Sequence, residues 1–219
     1  MKFTPNGTEC YLQRIDVTPG TPIDVVSVTN AKPAVVTVAV GDITTFANND
    51  IITVTGTGSP ALDGKSFMIA SVGTPANTFI LVGSDNSSAT AASTTGEVVE
   101  VAADDWLRFC LSNYEYAVAA ADAIDVSTFC GTESLAGTPL PGDITIQGFI
   151  DYDIEAYREW LAAVKDGQRR LLHVVLPNTI GDILAPITVT GITETLGVNE
   201  AAAFEGTAVL NDWPTYVMP

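Results

Sequence analysis

Basic residues, histidine and cysteine are all scarce in this 219-residue chain. Nine Lys and Arg stand against 26 Asp and Glu, a formal charge of −17. Such acidity argues against ordinary binding to nucleic-acid phosphates, where Lys and Arg must replace condensed counterions, but it leaves open work beside DNA without gripping it. The single histidine, His173, excludes a multi-histidine zinc site. Cys10, Cys110 and Cys130 are far apart and odd in number, so they offer neither a CxxC ligand pair nor an even disulfide framework, and buried free thiols are expected. No stretch approaches the roughly 18 uncharged apolar residues of a membrane-spanning helix. MKFTPNGTEC also lacks the apolar region of a secretion signal, so the chain reads as soluble and cytosolic.

What is present is a foldable composition, 47% hydrophobic with only 16% charged residues, at a length suited to one domain with an insertion or two small domains. Chemistry-bearing motifs fail one by one. His173 sits in LLHVVLP, an apolar run that reads as a buried strand and makes it a core or interface histidine. Gly58-Ser-Pro-Ala-Leu-Asp-Gly64-Lys65-Ser66 approximates a phosphate-binding loop. However, five residues separate the glycines where four are needed, and SFMIASV follows as a strand rather than a helix, so a hairpin turn is expected. Asp151, Asp153 and Glu155 are spaced like the start of a calcium loop but lack its glycine and closing Glu, and acidic residues at a helix N-terminus explain them better. No nucleophile, base and orienter can be assembled around one histidine, so neither catalysis nor a metal or cofactor is expected.

The clearest helix is DIEAYREWLAAVKDG, over 153–166. Ile154, Tyr157, Trp160, Leu161 and Val164 recur at helical spacing as its packing stripe, Asp153 caps its start, Lys165 suits its last turn and Gly167 ends it. Strands are expected at 143–149, 169–177, 185–195 and 202–210. In DITIQGF, Ile144, Ile146 and Phe149 are expected to face a core while Asp143, Thr145 and Gln147 face away, as in an antiparallel sheet wet on one side. AVAAADA at 117–123 is ambiguous.

Residues 33–100 differ in texture. They are rich in Thr, Ser, Ala, Gly and Val, carry one Lys against six Asp and Glu, and contain no Trp, Tyr, Cys or His. Strands at AVVTVAV, DIITVTG, KSFMIASV and NTFILVG, separated by turn clusters, suggest a small inserted all-β domain at 33–100 that interrupts a first domain of 1–32 and 101–219. The alternative is that these strands belong to one larger sandwich.

In the C-terminal half, IDVST at 124–128, LAGTPLPGDITIQGFIDYD at 135–153, the helix, a strand ending at Pro177 and two long strands follow in an order that resembles the major tail tube proteins of long-tailed bacteriophages. The resemblance covers roughly residues 122–216, with FTPNGTECYLQRI as a plausible first strand, and the insert departs from the family's minimal pattern. It implies a mainly β fold, an antiparallel β-sandwich or barrel with one flanking α-helix, here with the small β-domain facing outward. It implies a virion protein made in the host cytoplasm that forms stacked six-membered rings around a tape-measure protein, meets tail-end proteins, and lets DNA pass without specific binding. Under it, Asp143, Thr145, Gln147, Glu194 and Glu205 are candidates for the lumen face, and the loops at 18–24 and 132–142 for ring-to-ring contacts. The competing class is a surface-displayed β-sandwich binding module, adhesin-like or carbohydrate-binding, although Trp106, Trp160 and Trp213 form no sugar-stacking row.

Overall fold

The computed structural model describes residues 9–14, 20–89, 93–102, 105–109, 111–119, 123–128, 131–136, 140–150, 154–177, 181–196 and 202–217. Runs of alternating apolar and polar residues make most of its regular structure strand. β1 (Glu9–Gln13) precedes β2 (Ile23–Val28), β3 (Val35–Val38), β4 (Ile51–Thr55), β5 (Lys65–Ala70), β6 (Thr78–Leu81) and β7 (Glu97–Val101). β8 (Trp106–Phe109), β9 (Leu111–Ala119), β10 (Ala123–Thr128), β11 (Gly131–Ala136) and β12 (Leu140–Phe149) lead to the helix α1 (Glu155–Asp166). β13 (Arg169–Val175), β14 (Asp182–Thr195), β15 (Ala203–Leu210) and β16 (Thr215–Val217) follow it. The fold is mainly β, as expected: among the described residues there are one α-helix, an eight-stranded antiparallel sheet and a closed six-stranded antiparallel barrel, with β10 and β11 as a separate pair.

The barrel runs β2-β3-β6-β5-β4-β7 and closes back on β2. Closure pairs every edge, which an open sheet this small would leave exposed. Its alternate residues, among them Val36, Ile52, Val54, Phe67, Ile69, Phe79 and Val98, fill one interior. The four strands expected within 33–100 are β3 to β6. The barrel also takes in β2, which lies ahead of residue 33 and pairs with both β3 and β7. The Gly58 loop joins β4 to β5 as a turn. The Asp63 carboxylate accepts bonds from the Thr57 N–H, the Thr57 hydroxyl and the Gly58 N–H at 2.6–2.8 Å, so those donors are already satisfied.

The larger sheet has the order β8-β1-β13-β14-β15-β12-β9, with β16 beside the first half of β14. β8 and β9, the two ends of this path, are one residue apart in sequence, so the sheet curls on itself. Both halves face one core, which includes Leu12, Phe109, Ile144, Ile146, Leu172, Ile187 and Phe204. α1 closes that core. Tyr157, Trp160 and Ala163 are buried, Ile154, Leu161 and Val164 pack at its margin, and Gly167 ends the helix in the left-handed region at φ 63°. Asp153, expected as its cap, lies outside the described residues, as do Asp151, Cys110 and Cys130; Cys10 is buried and its thiol is pushed up by burial. Arg170 is buried on β13 and reaches back to Glu159 at 2.9 Å and Asp166 at 2.7 Å, tying the helix to the sheet.

The barrel leaves the sheet at the tip of the β1–β8 hairpin. Gln13 is opposite Trp106, and the Arg14 N–H donates to the Asp105 carbonyl at 2.8 Å. It seats on the outer face of β13 and β14, where Ile51, Met68 and Val101 meet Leu171 and Leu184. No helix among the described residues is long and apolar enough to cross a membrane.

Candidate functional site

The outer face of the other half of the sheet, β9-β12-β15 and the end of β14, carries no barrel. Register sets its rows, since directly paired residues project from the same side. Asn113, Gln147, Glu205 and Thr193 make one row, and Glu115, Thr145, Thr207 and Gly191 the next. Ala117, Asp143, Val209 and Thr188 make a third. The Gln147 amide donates to Glu205 at 2.6 Å and takes a long 3.5 Å contact from Asn113, so the first row is joined across three strands. Three carboxylates, Glu115, Asp143 and Glu205, lie on this face, and the third row continues past Thr188 to the exposed Arg169 of β13. The surface is polar and mainly acidic, with Arg169 at its margin beside β13.

Four of the five candidate residues, Asp143, Thr145, Gln147 and Glu205, are brought together on this face. Glu194 is not. It lies opposite Phe204, a core residue, and accepts a hydrogen bond from the Tyr157 hydroxyl of α1. The reason is a register shift in β14 between Val189 and Gly191: one extra residue, Thr190, exchanges the faces of everything after it. Phe149 is also corrected. It shares the side of Asp143 and Gln147 and is 58% exposed, whereas Ile144 and Ile146 are fully buried.

Beyond this face the chain makes an arm. β9 pairs with β12 as far as Ala119↔Leu140, and after three residues on each strand β10 pairs with β11 from Ala123↔Ala136 to Thr128↔Gly131. β10 and β11 pair only with each other, so both outer edges are unpaired among the described residues. Of the expected loop at 132–142, residues 132–136 are strand β11, paired with β10, and 140–142 begin β12, where Leu140 is opposite Ala119 and a register shift precedes Asp143; 137–139 lie outside the described residues. Of the 18–24 loop, residues 18 and 19 lie outside the described residues, and Ile23 and Asp24 open β2. At the opposite end of β12 and β14, Phe149 and Leu196 are exposed, at 58% and 66%.

His173 is an interface histidine. It lies on the barrel-bearing face, stacked against Tyr11 and edge-on to Trp106, and burial pulls its pKa down more than nearby Asp182 raises it. Among the described residues there is no group of three His, Cys, Asp or Glu that could hold a metal.

No protein-family model matches the chain, and no curated protein does. Among solved structures, a chain from the virion of a native gene transfer agent particle is similar at 19% identity and a TM-score of 0.41, over 49% of this chain and 84% of that one. A chain from the tail of an empty gene transfer agent particle with C6 symmetry is similar at 20% identity and a TM-score of 0.40, over 49% and 81%.

Proposed function

We propose that the chain is a structural subunit that assembles with its own copies into stacked rings, forming a virion tail tube through which DNA passes. The observation that carries this reading is the β10–β11 arm. Its six residue pairs span about 20 Å at ~3.4 Å per residue, and a two-stranded ribbon with both edges free is marginal in water. Partners that cover those edges stabilise it, and copies of the same chain provide them repeatedly. The arm leaves one end of the sheet and Phe149 and Leu196 are exposed at the other, so the subunit is polar along its strands. Polar contacts of this kind join head to tail and propagate.

The resemblance to tail tube proteins supplies the remainder of the reading: six copies per ring, a tape-measure protein inside during assembly, and tail-end proteins at its limits. The wet face with Asp143, Thr145, Gln147 and Glu205 turns to the lumen, joined there by Glu115 and Thr207. The barrel, on the other half of the sheet, turns outward as a separately folding unit of residues 23–101. Along a mainly acidic lumen DNA meets repulsion and few phosphate-binding minima, and it slides. Negative-stain microscopy of the concentrated full chain tests the reading: rings or tubes are expected. A protein that stays monomeric at every concentration and instead binds a glycan would overturn it in favour of a surface-displayed binding module.

A further inference from the structure

Beside the apolar contact that seats the barrel, an open cleft of about 350 Å³ separates barrel from sheet. On its sheet wall three rings stand together: Tyr11 stacks on His173 with centroids 5.8 Å apart, and Trp106 meets the same imidazole edge-on at 5.5 Å. The barrel wall brings Asp50 and Glu100 to face them. The Glu100 carboxylate has no hydrogen bond or cation among the described residues, and burial, then Asp50, then Asp105 raise its pKa. His173 Nε2 is buried without a hydrogen-bond partner, 3.7 Å from the nearer Asp182 oxygen. Arg108, across from Tyr11, is already held by Glu9 at 2.7 Å.

We propose that this cleft binds an organic cation, a guanidinium or primary ammonium group on a short alkyl stem. The ring faces attract a cation through their quadrupoles. Asp50 and Glu100 supply the opposite charge, and the apolar walls accommodate the stem. An anion is disfavoured by the same carboxylates, and the donor set does not reach the three ligands a metal needs. The cation has two sources: a free amine of the cell, or Arg169 of a neighbouring copy, which is exposed on β13 and has no ion pair among the described residues. Binding of the cation stands apart from the tube reading, since the cleft lies within one chain; only the Arg169 source rests on that reading.

Saturation-transfer NMR on the full chain with ethylguanidinium tests it, with ethylurea as the neutral probe of the same shape. Binding of ethylguanidinium but not of ethylurea is expected, weakened at least tenfold by Glu100→Gln and by Trp106→Leu in variants whose melting temperature is unchanged. Equal binding of ethylurea, or affinity unchanged in both variants, would overturn the proposal. Assembled wild type and assembled Arg169→Ala then separate the sources. If Arg169 of a neighbour fills the cleft, the probe enters only the variant assembly; if a free amine is the ligand, it enters both. Failure to bind any form, assembled or dispersed, rejects the site.

Discussion

Replacing Gly206 by Ala should destabilise the sheet, although alanine is ordinarily the better strand residue. Gly206 lies in the middle of β15 under the Trp160 indole, where a Cβ would stand 2.7 Å from Cε2 and 2.8 Å from Cζ2 and Nε1. The ring has no room to retreat. Trp160 is fully buried, Phe109 meets it edge-on at 5.8 Å, and its Nε1–H reaches the Gly191 carbonyl at 3.3 Å. Overpacking of this kind costs about 1–3 kcal/mol, against about 0.4–1 kcal/mol gained from a stiffer unfolded chain, so a net loss of about 1–2 kcal/mol is expected. Trp160→Ala alone should cost about 3–5 kcal/mol by emptying the site. In the double variant the alanine methyl at 206 enters space the indole has left, so its own cost should vanish and the two losses should fall short of their sum by about 1–2 kcal/mol. Urea unfolding of the dispersed chain measures the cycle, and each kcal/mol should move the melting temperature about 2–4 °C at this chain length. Losses that add to within about 0.5 kcal/mol would refute the steric argument, and a Trp160→Ala chain that melts like wild type would show the helix to be peripheral.

Replacing residues 15–104 by Asn-Gly should close β1 and β8 as a two-residue hairpin. With Leu171→Thr and Leu184→Thr covering the exposed seat, the sheet should still fold and assemble; a folded, soluble variant that stays monomeric would make the barrel part of the tube. Removing 123–136 and joining the strands with a short turn should abolish tubes while leaving the melting temperature nearly unchanged, as microscopy and calorimetry would report. His173 is held neutral by burial, so its contribution to stability is complete above the unfolded imidazole pKa of about 6.5 and is lost as pH falls below it. Thermal melts from pH 7.5 to 5.5 should therefore slope less in His173→Gln, and identical slopes would contradict the assignment. Asp143→Lys with Glu205→Lys should leave rings forming but slow genome ejection in a salt-relieved manner, and normal ejection would remove the repulsion argument. Glu194→Lys should act on stability, through the bond from Tyr157.

The elements that were legible in the sequence carry strong period or punctuation. The α1 stripe of Tyr157, Trp160 and Val164 with Gly167 behind it gave both the helix and its end, and four barrel strands stood out because turn clusters separate them. β2 was less visible. IDVVSV has the pattern of a strand but nothing local says which sheet it joins, and its partners β3 and β7 lie on opposite sides of it in the closed barrel. The arm was hidden for a related reason: TESLAG looks like a loop by composition, and it is pairing with β10 that makes it strand.

The division of the sheet into a covered half and a wet half was written in β14, in a form that simple alternation obscures. Its first part, ILAPI, is apolar without interruption because both sides are covered: Ile183, Ala185 and Ile187 enter the core while Leu184 meets the barrel. Such runs mark strands buried on both faces, and RRLLHVV on β13 repeats the signal with Leu171 turned to the barrel. The second part, TGITET, returns to mixed residues where the barrel no longer reaches. Between them stand Thr190 and Gly191, and a glycine inside a strand pattern is itself a bulge signal. Allowing for the bulge places Thr193 rather than Glu194 on the face of Glu205. The bulge thus lets one strand serve two environments: it ends the doubly covered stretch and turns a carboxylate toward α1, while the remaining polar side chains of the wet face stay aligned across β9, β12 and β15.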